Sequence, residues 1–395
     1  MLEFLLFALL GIFVGIVFGL VPGLHPNFLI LLTPLLFSVS AAPQNLICFV
    51  VAMAVSNAIV DFLPSILFGA PEEGTELSVN PGHRMLLEGR GYQAVKLAVT
   101  GGLLAVAVLA VLFPVIIIVF PLIYGFLQPA LFFLLLGISL YMILTEEGAK
   151  KLLSGVCFLF AGVIGLSLQR LPLDSTVMLF PVLSGMFGAS VLAMQFRKRG
   201  IIIGKQKPEE YISRRLIKRS VIFGSLGGIF SGLLPGVGTS QVASLATVDK
   251  NEKSFLLTLG ALATSNIIIS VISLWLIGKT RSGAAVIIDN FLSLSLPDVF
   301  LVLFVALFAG AVSALAALRL AKVFLHIIEK INYVIVSKIV FIAVFAMVIV
   351  FTGVYGLLLF AVCASLGIFA YLSKIKMSVM MAVLLVPTII FYYPF

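Results

Sequence analysis

Apolar positions fill the chain in long runs, and the polar residues that interrupt them mark out its elements. A first membrane span is expected over residues 4–21, followed by an apolar piece, 28–39, that at ~1.5 Å per residue is too short to cross a bilayer alone. Further spans are expected at 45–69, 93–120, 124–144, 150–168 and 173–196, and then at 220–248, 254–278, 297–318, 333–351, 353–372 and 377–394. The separators are a polar loop over 70–92, Pro121, and charged turns at 146–151, 170–174 and 249–253. Residues 282–296 read equally as a loop or as a short apolar insert.

One stretch recurs. Gly11, Gly15 and Gly19 lead into Pro22-Gly23, and Gly224, Gly228 and Gly232 lead into Pro235-Gly236 with the same internal spacing. Glycines four apart share a helix face and let another backbone come close. Proline then removes a donor, and the glycine after it permits a turn. A second duplicated piece follows each copy: Ala52 to Ile59, containing Ser56-Asn57, matches Ala261 to Ile268, containing Ser265-Asn266, and Gly69 matches Gly278. The offset there is four residues shorter, so Asp61 corresponds to Ser270.

These patterns predict an all-α polytopic membrane protein of two structural repeats, each with a broken or re-entrant Pro-Gly helix. Residues 1–196 form the first repeat, 197–219 a basic linker and 220–395 the second repeat. If each Pro-Gly element enters and leaves on one side, an odd number of crossings separates the copies and the repeats are inverted. If each crosses, they are parallel. The short 28–39 piece favours the inverted arrangement.

Composition fits this reading: of 395 residues 62% are hydrophobic and 10% charged, far from a soluble domain. The net charge of +9 does not point to nucleic acid, because the positive residues gather in short connections, above all in the linker, which the positive-inside bias assigns to the cytoplasm. That linker also suits lipid headgroups. Cys48, Cys157 and Cys363 lie far apart in apolar runs and read as core residues, with no metal-ligand spacing. The first helix lacks the form of a cleaved signal peptide and is expected to be retained.

Few residues remain to carry chemistry. Of the 16 acidic residues only Asp61 sits well inside a span, and an ionisable residue there is a functional candidate by default. Asn57, Asp61 and Ser65 share one helix face, and Asn57 and Asp61, with the repeat positions Asn266 and Ser270, are candidates for coupling Na⁺ or H⁺. Asp61 also admits a plainer reading, a protonated acid bonded to a neighbouring helix. A broken helix repeated in both halves points to a transporter's binding site. The candidate substrate residues are Pro22, Gly23, His25 and Asn27 in the first copy, and Pro235, Gly236, Gly238, Thr239, Ser240 and Gln241 in the second. Free backbone N–H groups beside such side chains suit a carboxylate or phosphate. No nucleotide loop, zincin motif or catalytic triad pattern occurs, so no enzyme and no cofactor beyond a coupling ion is expected.

The residues also resemble a known family. Gly15-x3-Gly19-x2-Pro22-Gly23, the run from Pro64 to Thr75, the element from Gly82 to Gly91, and Gly232-x2-Pro235-Gly236-x-Gly238 are similar to the large membrane subunit of tripartite tricarboxylate transporters, in particular to its shorter archaeal-type relatives. The resemblance implies a secondary carrier that takes a carboxylate from an extracytoplasmic solute-binding protein with the help of a small membrane subunit. The chain departs from the pattern in reading Pro-Gly-Leu-His-Pro at the first motif. The leading expectation is a cation-coupled permease for a small organic anion in the cell membrane. The alternatives are a translocase for a lipid-linked phosphate such as polyprenyl phosphate, and a membrane scaffold.

Overall fold

The computed structural model describes residues 2–21, 42–70, 75–171, 175–196, 205–234, 239, 242–243, 247, 251–330 and 333–394. Among these no strand occurs, and nine helical stretches are long and apolar enough to cross a membrane. The first half comprises α1 (Leu2–Leu20), α2 (Pro43–Val60), α3 (Phe62–Phe68), α4 (Val79–Leu87), α5 (Gly91–Leu127), α6 (Leu131–Leu144) and α7 (Lys150–Leu168). It closes with α8 (Ser175–Leu183) and α9 (Ser190–Phe196), joined through a π-helical turn at Ser184–Ala189. The second half comprises α10 (Arg214–Leu233), α11 (Glu252–Ile277), α12 (Gly283–Asp289), α13 (Leu296–Ile328), α14 (Tyr333–Leu372) and α15 (Ala382–Phe391).

Several expected boundaries move. Pro121 does not divide two spans: α5 runs through both Pro114 and Pro121, which a membrane helix tolerates where neighbours and local adjustment satisfy the freed carbonyls. The segment 282–296 holds the short helix α12, and the loop over 70–92 holds α4. Four basic residues of the linker, Arg214, Arg215, Lys218 and Arg219, belong to α10, capped by Ser213 Oγ accepting from Leu216 N at 3.2 Å. The span expected at 297–318 continues to Ile328, so Arg319 and Lys322 are helical. The expected break between 351 and 353 is a kink inside α14 at Gly353, where φ is 59°. The cysteines are buried and unbridged.

The glycine seams organise the centre. A methyl group added at Gly11 would stand 2.3 Å from Phe49 O and 3.1 Å from Ala52 Cβ; at Gly15, 2.3 Å from Met53 O and 2.7 Å from Ser56 Cβ. In the second half, one added at Gly224 would stand 2.6 Å from Thr258 O and 2.7 Å from Ala261 Cβ; at Gly228, 2.8 Å from Leu262 O and 2.4 Å from Ser265 Cβ. Each contact in one half has its duplicate-motif counterpart in the other. The seam joins α1 to α2 and α10 to α11, and in both pairs the two helices run in the same direction, since later glycines meet later residues. Glu3 with Asn45, and Ser220 Oγ with Ser254 Oγ at 2.9 Å, bring the starting ends of each pair together. The chain therefore enters α2 at the end where it entered α1, and α11 at the end where it entered α10.

The two units then interlock through their third long helices. α5 lies along α11, with the backbone of Gly101 against Leu257 and that of Gly260 against Ala98. α13 lies along α2–α3, where Ser313 Oγ donates to Ser56 Oγ at 2.7 Å and Phe68 meets Phe324 edge-on at 5.5 Å. α5 and α13 run antiparallel, with Phe113 against Phe300 at one end and Gly91 against Leu325 at the other. α5 and α11 run parallel, since Gln93 and Lys253 near their starts both meet Glu210 while Tyr124 near the end of α5 meets Arg281 just past the end of α11, so α2–α3 and its sequence counterpart α11 run in opposite directions. Both end in the same device, a left-handed glycine: Gly69 at φ 67° and Gly278 at φ 62°.

The linker is bolted to one face. Lys207 N donates to Gly89 O (2.8 Å), Gln206 N to Glu329 Oε1 (2.9 Å) and Gln93 Nε2 to Glu210 O (2.9 Å). Glu210 pairs with Lys253 and lies 3.7 Å from Arg90, Glu209 pairs with Lys96, and Arg84 pairs with Glu252 at 2.9 Å. The starts of α5, α10 and α11 and the end of α13 thus share one basic face.

Candidate functional site

Asp61 stands where α2 gives way to α3. It is 4% exposed and its backbone stays helical, its N–H bonding Asn57 O at 2.9 Å and its carbonyl accepting from Ser65 N at 3.3 Å; what breaks here is one rung of the ladder, because Pro64 has no N–H for the carbonyl of Val60. At 1.5 Å per residue it lies roughly 27 Å along the course of α2–α3. Thr75, from the segment after Gly69, donates its hydroxyl to Asp61 Oδ2 at 2.9 Å. Ser65 Oγ stands 2.7 Å from the same Thr75 Oγ1. A hydroxyl has one proton to give, so Ser65 is the donor in that second bond and the chain of donation runs Ser65, Thr75, Asp61. Both hydroxyls are buried. The carboxyl at this break is therefore addressed by a polar relay rather than by apolar packing alone.

The glycine seam leads to the same place. Gly19, three residues before Pro22 in sequence, is the point of α1 closest to this break: a methyl group there would stand 3.0 Å from Asn57 O and 3.1 Å from Asp61 N. Asn57 is 4% exposed, and its amide nitrogen is buried with no hydrogen-bond partner. The structure thus brings Asn57 and Asp61 together against the end of the first glycine motif.

The second half repeats the packing but not the chemistry. Gly232 lies against Ile269, the neighbour of Ser270, and the backbone of Asn266 meets Gly228. Ser270 is fully buried, but its hydroxyl donates to Ser282 Oγ at 2.7 Å, and Ser282 in turn caps α12. No carboxylate or helix break marks the position: α11 is continuous from Glu252 to Ile277. Asn266 is half-buried, and Thr258, Thr264 and Ser265 carry buried hydroxyls with no hydrogen-bond partner.

Of the candidate substrate residues, Thr239 is described and is 8% exposed. Pro22, Gly23, His25, Asn27, Pro235, Gly236, Gly238, Ser240 and Gln241 lie outside the described residues. Sequence reasoning missed Thr75 as the partner of Asp61, and Ser313 as the partner of Ser56 across the two halves. Neither carries a local signal, since each meets its partner only through the packing of separate segments.

Compared with known proteins, the chain matches over residues 5–382 the family described as the tripartite tricarboxylate transporter TctA family. The chain belongs to this family. Its membership and its apolar helices make it a multi-pass membrane protein of the tricarboxylate-transporter permease type, and the family is one of transporters rather than enzymes. The tripartite description also implies partner components, among them a solute-binding protein. An uncharacterised protein of Methanocaldococcus jannaschii is 28% identical over 401 residues, covering 98% of each chain. No solved structure matches the chain.

Proposed function

We propose that this TctA-family chain is a secondary permease that moves a small organic anion, a carboxylate, coupled to Na⁺ or H⁺. The observation that carries the coupling is Asp61: a buried acid within a membrane span, one turn before Pro64, receiving a hydroxyl from Thr75 and lying beside Gly19. A charged form there is stabilised by an adjacent cation, and a neutral form by a bound proton; either state couples ion occupancy to the packing around the break. Asn57 joins Asp61 in holding the cation in this reading; at the repeat positions Asn266 and Ser270 offer only neutral groups, and the Ser270 hydroxyl is engaged by Ser282. The anion is held by backbone donors and polar side chains at the two Pro-Gly motifs, from Pro22 to Asn27 and from Pro235 to Gln241.

The same reading takes residues 1–196 and 220–395 as inverted repeats joined by a cytoplasmic linker at 197–219. The opposite courses of α2–α3 and α11, and the concentration of basic residues on the linker's face, support it. A small membrane subunit and an extracytoplasmic solute-binding protein are the partners it implies.

Uptake of labelled citrate and succinate into proteoliposomes, under an imposed sodium or proton gradient, tests the function. Gradient-dependent accumulation is the expected result. Movement of a polyprenyl phosphate with no carboxylate uptake would overturn it in favour of a lipid-phosphate translocase.

A further inference from the structure

The face opposite the linker carries a guanidinium with donors to spare. Beyond Gly278 the chain turns through Lys279, Thr280 and Arg281 to Ser282. Ser270 Oγ donates to Ser282 Oγ at 2.7 Å, and Ser273 Oγ shares its proton between Ser270 O at 2.9 Å and Lys279 O at 3.1 Å, so the turn packs back onto α11 on both sides of Arg281. There the guanidinium carbon of Arg281 stands 5.7 Å from the centre of the Tyr124 ring, near the end of α5. Arg281 Nε and Nη2 are buried and have no hydrogen-bond partner, and none of the ion pairs among the described residues includes Arg281.

The identity of those two nitrogens matters. Nε and Nη2 form one edge of the guanidinium plane, with their N–H bonds parallel and spaced to meet both oxygens of a carboxylate. Contact with the Tyr124 ring restrains the guanidinium before an anion docks. A buried cationic donor pair with no acceptor is unfavourable unless something meets it. The depth fits a mouth: α11 starts on the linker's face, and its 26 residues, roughly 39 Å at 1.5 Å per residue, exceed a hydrocarbon core of about 30 Å. The turn beyond Gly278 therefore lies at the far membrane boundary, where Tyr and Trp rings concentrate.

We propose that the Nε/Nη2 edge of Arg281, held on Tyr124, is a carboxylate-binding site at the far mouth of the permease, engaged before the solute reaches the Pro-Gly motifs. The inference rests on the organic-anion reading and adds to it a residue and a side. In the duplicated sequence the position of Arg281 is taken in the first half by Glu72, so the site belongs to one face alone and favours capture from that face.

The test uses the full chain, purified and reconstituted in neutral phosphatidylcholine, with labelled citrate and succinate as probes. Arg281→Lys keeps the charge and removes the edge. It is expected to weaken equilibrium binding about tenfold or more and to raise the KM for uptake by a similar factor, with kcat little changed. Tyr124→Leu is expected to weaken binding several-fold, and Tyr124→Phe, which keeps the ring face, to leave it unchanged. Wild-type binding and KM in both Arg281→Lys and Tyr124→Leu would overturn the site while leaving the permease reading intact. Weakened binding in those variants, with no uptake by the wild type under any gradient, would uphold the site and defeat the permease reading. If neither probe binds the wild type, or if Arg281→Lys alters only stability in vesicles containing phosphatidylglycerol, the edge serves a lipid phosphate and the proposal falls.

Discussion

The middle helices of the two halves, α2–α3 and α11, share a packing plan and differ in chemistry. Both receive a glycine seam from the preceding helix, both carry Ser-Asn at its centre, and both end in a left-handed glycine. Only the first carries a proline, Pro64, and only there does a carboxyl stand one turn before it. Its counterpart Ser270 spends its hydroxyl on Ser282 and holds a turn at the membrane edge. The shared pattern keeps what packing requires and differs at the position four residues past Asn57 or Asn266. One half carries a buried carboxyl there; the other carries a structural tie.

The comparison breaks first at the seams. If the two are equivalent, Gly15→Val and Gly228→Val should each destabilise the protein by about 1–3 kcal/mol or more, because the added carbons meet backbone carbonyls and Cβ atoms that cannot retreat. Gly137→Ala, with nothing within 4 Å of an added methyl group, should be neutral. Thermal unfolding in detergent reads all three, and a large loss in only one of the seam variants would end the equivalence.

The chemical difference is sharpened by Asp61→Asn, which keeps the shape and removes the charge. Gradient-driven accumulation should fall to the level of simple equilibration, while Ser270→Ala should keep accumulation and cost only about 1 kcal/mol of stability for the lost hydrogen bond. Accumulation assays under sodium and proton gradients compare the two directly; full retention in Asp61→Asn would remove the coupling role.

A smaller effect is expected where the halves touch. Ser56 and Ser313 exchange a buried hydrogen bond, so a double-mutant cycle to Ala should show a coupling of about 1 kcal/mol. A coupling near zero would mean the bond does not tie the units together.

The smallest effect is at the linker. Hydrogen bonding to Lys253, aided by its charge and by Arg90, holds the Glu210 carboxyl below its ordinary value of 4.5. A group whose folded pKa is lowered supports the folded arrangement above its unfolded value and loses that support as pH falls through the folded one. Glu210 is fully exposed, so the loss is local rather than global. Protection against hydrogen exchange at Gln206 and Lys207, taken relative to the intrinsic rate at each pH, should be high near neutrality and fall below about pH 4.5 in the wild type, with Glu210→Gln poorly protected throughout. Identical exchange in both would show that the pair does not dock the linker.

Much of the fold was legible because membrane helices write themselves as apolar runs, and because Gly-x3-Gly spacing has one physical use on a helix face. The duplicated Ser-Asn and the paired glycines marked the two helices as counterparts, whereas the contacts of Ser56 with Gly15 and of Ser265 with Gly228 emerge only from the packing. Pro121 misled because proline ends helices in water but is tolerated within the bilayer. Thr75 and Arg281 owe their places to contacts between distant segments, which leave no local signal. The roles of the residues at the Pro-Gly motifs, Thr239 included, are proposals from the sequence pattern.

The central claim is that one packing unit is used twice in opposite orientations across the membrane. Single cysteines at Arg84, after the first glycine cap, and at Lys279, after the second, are both at exposed positions. Introduced one at a time into a cysteine-free background and probed with an impermeant maleimide in vesicles of defined orientation, they should label from opposite sides, Arg84→Cys from the side of the basic linker. Labelling of both from the same side would contradict the account.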